Sequence, residues 1–100
     1  MKKPETLLVD KIMTYLNAQP KCWAFKTHGG NYQTTGIPDI VGCYNGHFLG
    51  IEVKVGKNKA TKLQAYTLQQ IKKAFGITGV VYSVEDVKEL LEIIEIVDEL

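Results

Sequence analysis

The stretch Thr35–Lys54, TGIPDIVGCYNGHFLGIEVK, reads as two strands joined by a tight turn. Asn45-Gly46 between apolar alternations is the strongest short-range hairpin signal, because both turn positions demand positive φ. The first strand, Asp39 to Tyr44, leaves a Gly-Ile-Pro turn; the second spans His47 to Val55. Residues two apart in a strand share a face. Glu52 and Lys54 therefore point one way, and Ile51, Val53 and Val55 the other. Two carboxylates and an ammonium near the middle of a hairpin are costly to bury without partners. A divalent cation and a phosphate would be suitable ones.

Working upstream, Cys22-Trp23-Ala24-Phe25-Lys26-Thr27 has strand character, with Trp23 and Phe25 on one face and Ala24 and Lys26 on the other. His28 to Gly36 is a polar, glycine-bearing loop. It is either a plain connection or a segment lying along a substrate backbone, with Tyr32 available to stack on a base or sugar. Residues 4–17 form a first helix: Pro4 suits its first position, and Leu8, Ile12, Tyr15 and Leu16 recur at helical spacing. Glu5, at the start of that apolar face, is either a first-turn acid favoured by the helix dipole or a carboxylate aimed at a buried site.

Downstream, Gly56-Lys57-Asn58-Lys59-Ala60 is a basic loop. Thr61 opens a helix, with Gln64 placed to complete a capping box, and Gly76 fits its C-terminal cap. Gly79 to Tyr82 is a short buried strand, and Ser83 with Asp86 gives a second capping box before the last helix. That helix carries Val87, Leu90, Leu91, Ile93, Ile94, Ile96, Val97 and Leu100, more apolar surface than one stripe needs. The order helix, three strands, helix, strand, helix predicts a single α/β domain, a mixed sheet covered by helices.

Composition narrows the partners. One hundred residues with 45% hydrophobic content suit one modest core. No apolar run approaches the roughly 20 residues of a membrane span, and the charged start is unlike a signal peptide. Cys22 and Cys43 lack metal-type spacing to each other, to His28 or to His47, and are expected as reduced, mostly buried thiols of a cytoplasmic protein. Both histidines are expected at surface or turn positions. The net charge of +1 conceals an asymmetry: residues 1–84 hold eleven lysines against four acids, residues 85–100 seven acids against Lys88. One face is thus suited to a polyanion. There is no arginine, so phosphate contact falls to lysines, amides and hydroxyls, which argues against guanine-specific readout.

Glu52 and Lys54 alone read as a solvated pair on an exposed strand face. Pro38-Asp39, thirteen residues before Glu52 across the hairpin, changes this, because pairing of the strands can bring Asp39 near Glu52. Two converging carboxylates suit Mg2+ or Mn2+. An adjacent lysine could orient or deprotonate water, or neutralise developing charge. The carbonyl of Val53 is a further possible ligand. The chemistry that fits is metal-assisted phosphodiester hydrolysis.

Pro38-Asp39 followed by Glu52-Val53-Lys54 matches the PD-(D/E)xK nuclease signature. The finer pattern resembles its VRR-NUC branch: Glu5 in an early helix, Lys26 before the loop, Gly36-Ile37-Pro38-Asp39, Ile51-Glu52-Val53-Lys54, then Gln64 in the next helix. The likeness runs from about Glu5 to Val80-Val81-Tyr82. It implies a restriction-endonuclease-like fold, a divalent metal and DNA cleavage. By position, Asp39, Glu52 and the Val53 carbonyl would hold the metal, Lys54 would be catalytic, and Glu5 and Gln64 would complete the site. Gln64 then has two competing roles, since a cap turns it back to the Thr61 amide whereas the family places it facing Lys54. Small stand-alone members are similar to phage proteins that act as homodimers on branched DNA such as four-way (Holliday) junctions. The surplus apolar face of the last helix is the expected dimer interface. Lys57, Lys59 and Lys62, with Lys26, are the expected phosphate contacts, predicting a slope of log binding on log salt of roughly −3.6. The competing expectations are a non-catalytic DNA-binding module that keeps the fold and an interaction protein acting through its acidic last helix.

Overall fold

The computed structural model describes residues 1–27 and 35–100. The elements follow in the predicted order: α1 (Pro4–Asn17), β1 (Cys22–Lys26), β2 (Ile40–Tyr44), β3 (His47–Val53), α2 (Lys62–Lys73), β4 (Ile77–Val81) and α3 (Val84–Asp98). The sheet order is β1-β2-β3-β4. The first three strands form an antiparallel meander, while β4 runs parallel to β3. A parallel neighbour requires a crossover, and α2 supplies it. Asn45 and Gly46 take φ of 50° and 85°, as a two-residue hairpin turn demands.

Strand alternation sends Leu49, Ile51 and Val53 to one face, where they are fully buried with Ile40, Val81, Ile12 and Leu16. Val9, Ile12 and Leu16 of α1 and Val87 and Leu91 of α3 close that core. The opposite face is covered at one end by α2. Gly50 lies beneath it, where an added Cβ would stand 3.1 Å from Ile71 and 3.3 Å from Pro38. Thr78, beside Gly50, donates its hydroxyl to the Leu68 carbonyl. Glu52 is two residues from Gly50, so it faces α2, away from the main core.

Several local expectations are corrected. The third strand ends at Val53, two residues short of Val55, although the Lys54 N–H still reaches the Val81 carbonyl at 3.0 Å. Helix α2 closes in a Schellman motif, with Gly76 N–H donating to Ile71 O and Phe75 N–H to Lys72 O. The left-handed residue is Phe75, at φ 69°, and not Gly76. Gly76 is required for another reason: a Cβ there would lie 2.5 Å from the Ile71 side chain. Ser83 caps α3 through the Asp86 N–H, but Asp86 reaches back to the Tyr82 N–H, so the second box is offset by one residue. Cys22 is half-buried and Cys43 exposed, against the expectation of two mostly buried thiols. His47 follows the Asn45-Gly46 turn, as expected of a turn residue, and its partly exposed ring bonds Asp98 at the end of α3. The surplus apolar side of α3 is present: Ile93, Ile96, Val97 and Leu100 are exposed. Among the described residues no helix is long and apolar enough to cross a membrane.

Candidate functional site

Gly36, at φ +90°, turns the chain toward Pro38 and Asp39. A Cβ at Gly36 would stand 2.6 Å from Leu63, so the turn lies closely against the start of α2. Thr27 then fixes the next two residues. Its hydroxyl donates to the Pro38 carbonyl at 2.6 Å and its N–H to the Asp39 carbonyl at 2.9 Å. The hairpin register pairs Ile40 with Ile51, and one step further places Asp39 opposite Glu52. Both carboxylates are buried, at 5% and 2% exposure.

The Val53 N–H donates to Asp39 Oδ2 at 2.7 Å. This bond locks the peptide between Glu52 and Lys54. Lys54 Nζ stands 3.5 Å from Glu52 Oε2, on the face that the period of two predicts. The other oxygen, Glu52 Oε1, is buried and has no hydrogen-bond partner among the described residues. Burial, first, and then the charge and hydrogen bonding of Asp39 push the Glu52 carboxyl up to about 7, against the opposing pull of Lys54. An orphaned carboxylate oxygen beside a second carboxylate is what a hard, oxygen-seeking cation would satisfy.

Among the described residues no group of three or more His, Cys, Asp and Glu side chains is placed to hold a metal ion. Asp39 and Glu52 are two carboxylates, which is the number that Mg2+ commonly takes, the rest of its shell being water and phosphate. The donor set therefore fits a magnesium-like ion.

The remaining candidates fall at different distances from this centre. Glu5 is half-buried in the first turn of α1. No hydrogen bond or ion pair joins it to Asp39, Glu52 or Lys54 among the described residues. Gln64 forms the capping box in both directions: Thr61 N–H donates to Gln64 Oε1 at 2.9 Å and Gln64 N–H to Thr61 Oγ1 at 3.1 Å. Its carbonyl oxygen is thus committed to the helix start. Lys57, Lys59 and Lys62 are exposed. Their loop is anchored at Asn58, whose carbonyl accepts the Tyr82 hydroxyl at 2.7 Å. Lys26 is also exposed, but its ammonium lies 3.1 Å from Asp10, which binds Lys2 as well. Tyr32 and His28 lie outside the described residues.

Thr27 and Tyr82 position the site and its basic flank, yet sequence reasoning does not find them. Their bonds span gaps of 11 and 24 residues to backbone carbonyls, and a backbone carbonyl leaves no mark in the sequence. Only the β1–β2 register could have pointed to Thr27. No protein-family model, curated protein or solved structure matches this chain.

Proposed function

We propose that the chain is a divalent-metal-dependent DNA endonuclease, with a restriction-endonuclease-like fold of the VRR-NUC type. The observation that carries this reading is the buried Asp39–Glu52 pair, with Glu52 Oε1 unsatisfied among the described residues and the Lys54 ammonium 3.5 Å from its other oxygen. A solvated surface pair, the plainer reading, is inconsistent with 2% exposure of Glu52.

Asp39 and Glu52, with the Val53 carbonyl, would hold Mg2+ or Mn2+. Such an ion, when bound, polarises a phosphodiester and lowers the pKa of a coordinated water. Lys54 would orient the attacking water and stabilise charge growing on the phosphate oxygens. The Asp39 bond to Val53 N–H keeps Glu52 and Lys54 in a fixed relation, so little reorganisation is needed at the reaction. Lys57, Lys59 and Lys62 would hold the backbone of the substrate without reading its bases. Absence of arginine favours selection of DNA by shape, with branched DNA such as a four-way junction as the substrate class and a second copy of the chain serving the opposed strand. A chain of this kind would work in the cytoplasm.

The test is nicking of supercoiled DNA and of linear, flap, bulge and four-way-junction substrates, with Mg2+ or Mn2+ and with chelator. Cleavage that needs metal and disappears in Asp39→Ala and Lys54→Ala supports the reading. Binding of equal strength in all variants, with no cleavage in any, would identify a non-catalytic DNA-binding module instead.

A further inference from the structure

Helix α2 covers only the β3–β4 end of its sheet face. On the rest, the register lines up Trp23, Cys43 and Phe48 across three strands, with Phe25 and Val41 in the next row. Trp23 is 67% exposed, Phe25 45% and Phe48 49%. Trp23 and Phe25 touch, with ring centroids 5.3 Å apart. Phe75, in the turn that ends α2, is 88% exposed and in the left-handed conformation that a glycine would hold at lower cost. Its neighbour Gly76 lies close against the Phe48 carbonyl.

We infer that a second copy of this chain covers this half-face, making the sheet and not α3 the dimer interface. The contact rests on the patch alone. Only its consequence, two metal sites on the interface side of a dimer, rests on the nuclease reading.

Area and charge select the occupant. Trp23, Phe25 and Phe48 with these exposures present roughly 250–400 Å² of apolar surface, from about 150–250 Å² each. That is up to half of the about 800 Å² that each partner gives to a standard interface. None of Trp23, Cys43, Phe48, Phe25 and Val41 is charged, and Lys26, beside Phe25 in the sequence, is on the opposite face and paired with Asp10. A base-stacking platform for nucleic acid combines aromatics with a cationic groove, so DNA fits this face poorly. The patch also suits itself. Cys43 is the middle of the Trp23–Cys43–Phe48 row, and a twofold axis there sets Trp23 against the partner's Phe48 and closes the assembly. The α3 surface is less suited, because its exposed Ile93, Ile96 and Val97 share a helix face with the exposed Glu89 and adjoin Glu92, and self-contact would oppose like charges. Glu52 lies on the same sheet face as the patch, so both sites would open toward the side where the copies meet.

The experiment uses the full chain without metal or DNA, so that failure of the nuclease reading would leave its result unchanged. Sedimentation at micromolar concentrations should give twice the chain mass of 11.2 kDa. Trp23 is the only tryptophan, and its emission should shift to the blue as concentration rises. Trp23→Glu and Phe48→Glu should each weaken the dimer by at least about 30-fold, with far-UV circular dichroism unchanged, while Ile93→Glu should leave the mass as it was. A short bis-maleimide, spanning sheets about 10 Å apart, should link two unsubstituted chains through Cys43 and fail with Cys43→Ser. This arm decides the matter if the glutamate variants do not fold. A monomer at every concentration overturns the inference. So does a dimer broken by Ile93→Glu, one not linked through Cys43, or loss of DNA affinity in Trp23→Glu at unchanged mass.

Discussion

The carboxylate of Asp39 accepts the peptide N–H of Val53 at 2.7 Å, so the acid that faces Glu52 also pins the residue between Glu52 and Lys54. Its structural and chemical roles are separable. Asp39→Ala leaves that N–H unpaired and should cost about 1–3 kcal/mol in urea unfolding. Asp39→Asn keeps an acceptor oxygen and should cost much less. Both should reduce metal-dependent nicking by at least about 100-fold, beyond the range typical for an outer-shell partner. An Asp39→Asn protein that cuts normally would remove Asp39 from the metal site.

Glu52 makes stability depend on pH in an unusual direction. Its carboxyl is raised from 4.5 to about 7 in the fold, by burial first and the neighbouring Asp39 second. Between those values the native chain holds a proton that the unfolded chain has released, so stability falls as pH rises. The loss begins near 4.5 and is complete above 7, with an upper bound of about 3 kcal/mol. In chelator, unfolding midpoints should decline across this window and then level off. Glu52→Gln should flatten the decline and be more stable than the unsubstituted protein at pH 8, while abolishing cleavage. A midpoint that rises from pH 5 to 7 would show that Glu52 is ionised and satisfied in the metal-free fold.

These two residues were legible because their signals are local: a Pro-Asp at a strand start, an Asn-Gly turn fixing register, and a period of two placing Glu52 beside Lys54. Helix spans followed from caps and periodicity for the same reason. What escaped the sequence depends on elements landing far apart in the chain. Alternation assigns Trp23 and Ala24 to opposite faces but cannot say which face α1 covers, and the smaller residue proved to be the buried one. Gly76 fits a helix cap by residue type, yet the Schellman bonds put Phe75 at the left-handed position, and Gly76 is there because Ile71 leaves no room for a Cβ. The two roles of Gln64 could not be separated by position, since both fit the first turn of α2. Its bond to the Thr61 amide assigns its oxygen to the cap.

That capping box gives a prediction of its own. Thr61→Ala removes the acceptor for the Gln64 N–H and should cost about 1 kcal/mol. Gln64→Ala removes the reciprocal bond and should cost a similar or smaller amount. If Gln64 acts only as a cap, its alanine variant should retain kcat within a few-fold at a temperature where both proteins are folded. A fall in kcat of the order of 100-fold at unchanged stability, within the range for a lost acid–base group, would instead place the side chain at Lys54 during turnover.

Salt dependence tests the basic flank. Four phosphate contacts would predict a slope of log binding on log salt of about −3.6, but Lys26 is held by Asp10. Without it the slope from Lys57, Lys59 and Lys62 is about −2.7. Each of these three changed to Gln should reduce the slope by about one, with little difference between DNA sequences of the same shape. Lys26→Gln should leave both slope and affinity nearly unchanged. The anchor from Tyr82 to the Asn58 carbonyl adds a control: Tyr82→Phe frees the loop while leaving every charge in place. It should therefore weaken binding without altering the slope, separating the placement of the lysines from their number. A slope of −3.6 that drops on Lys26→Gln would mean that the Asp10 pair opens to meet the substrate.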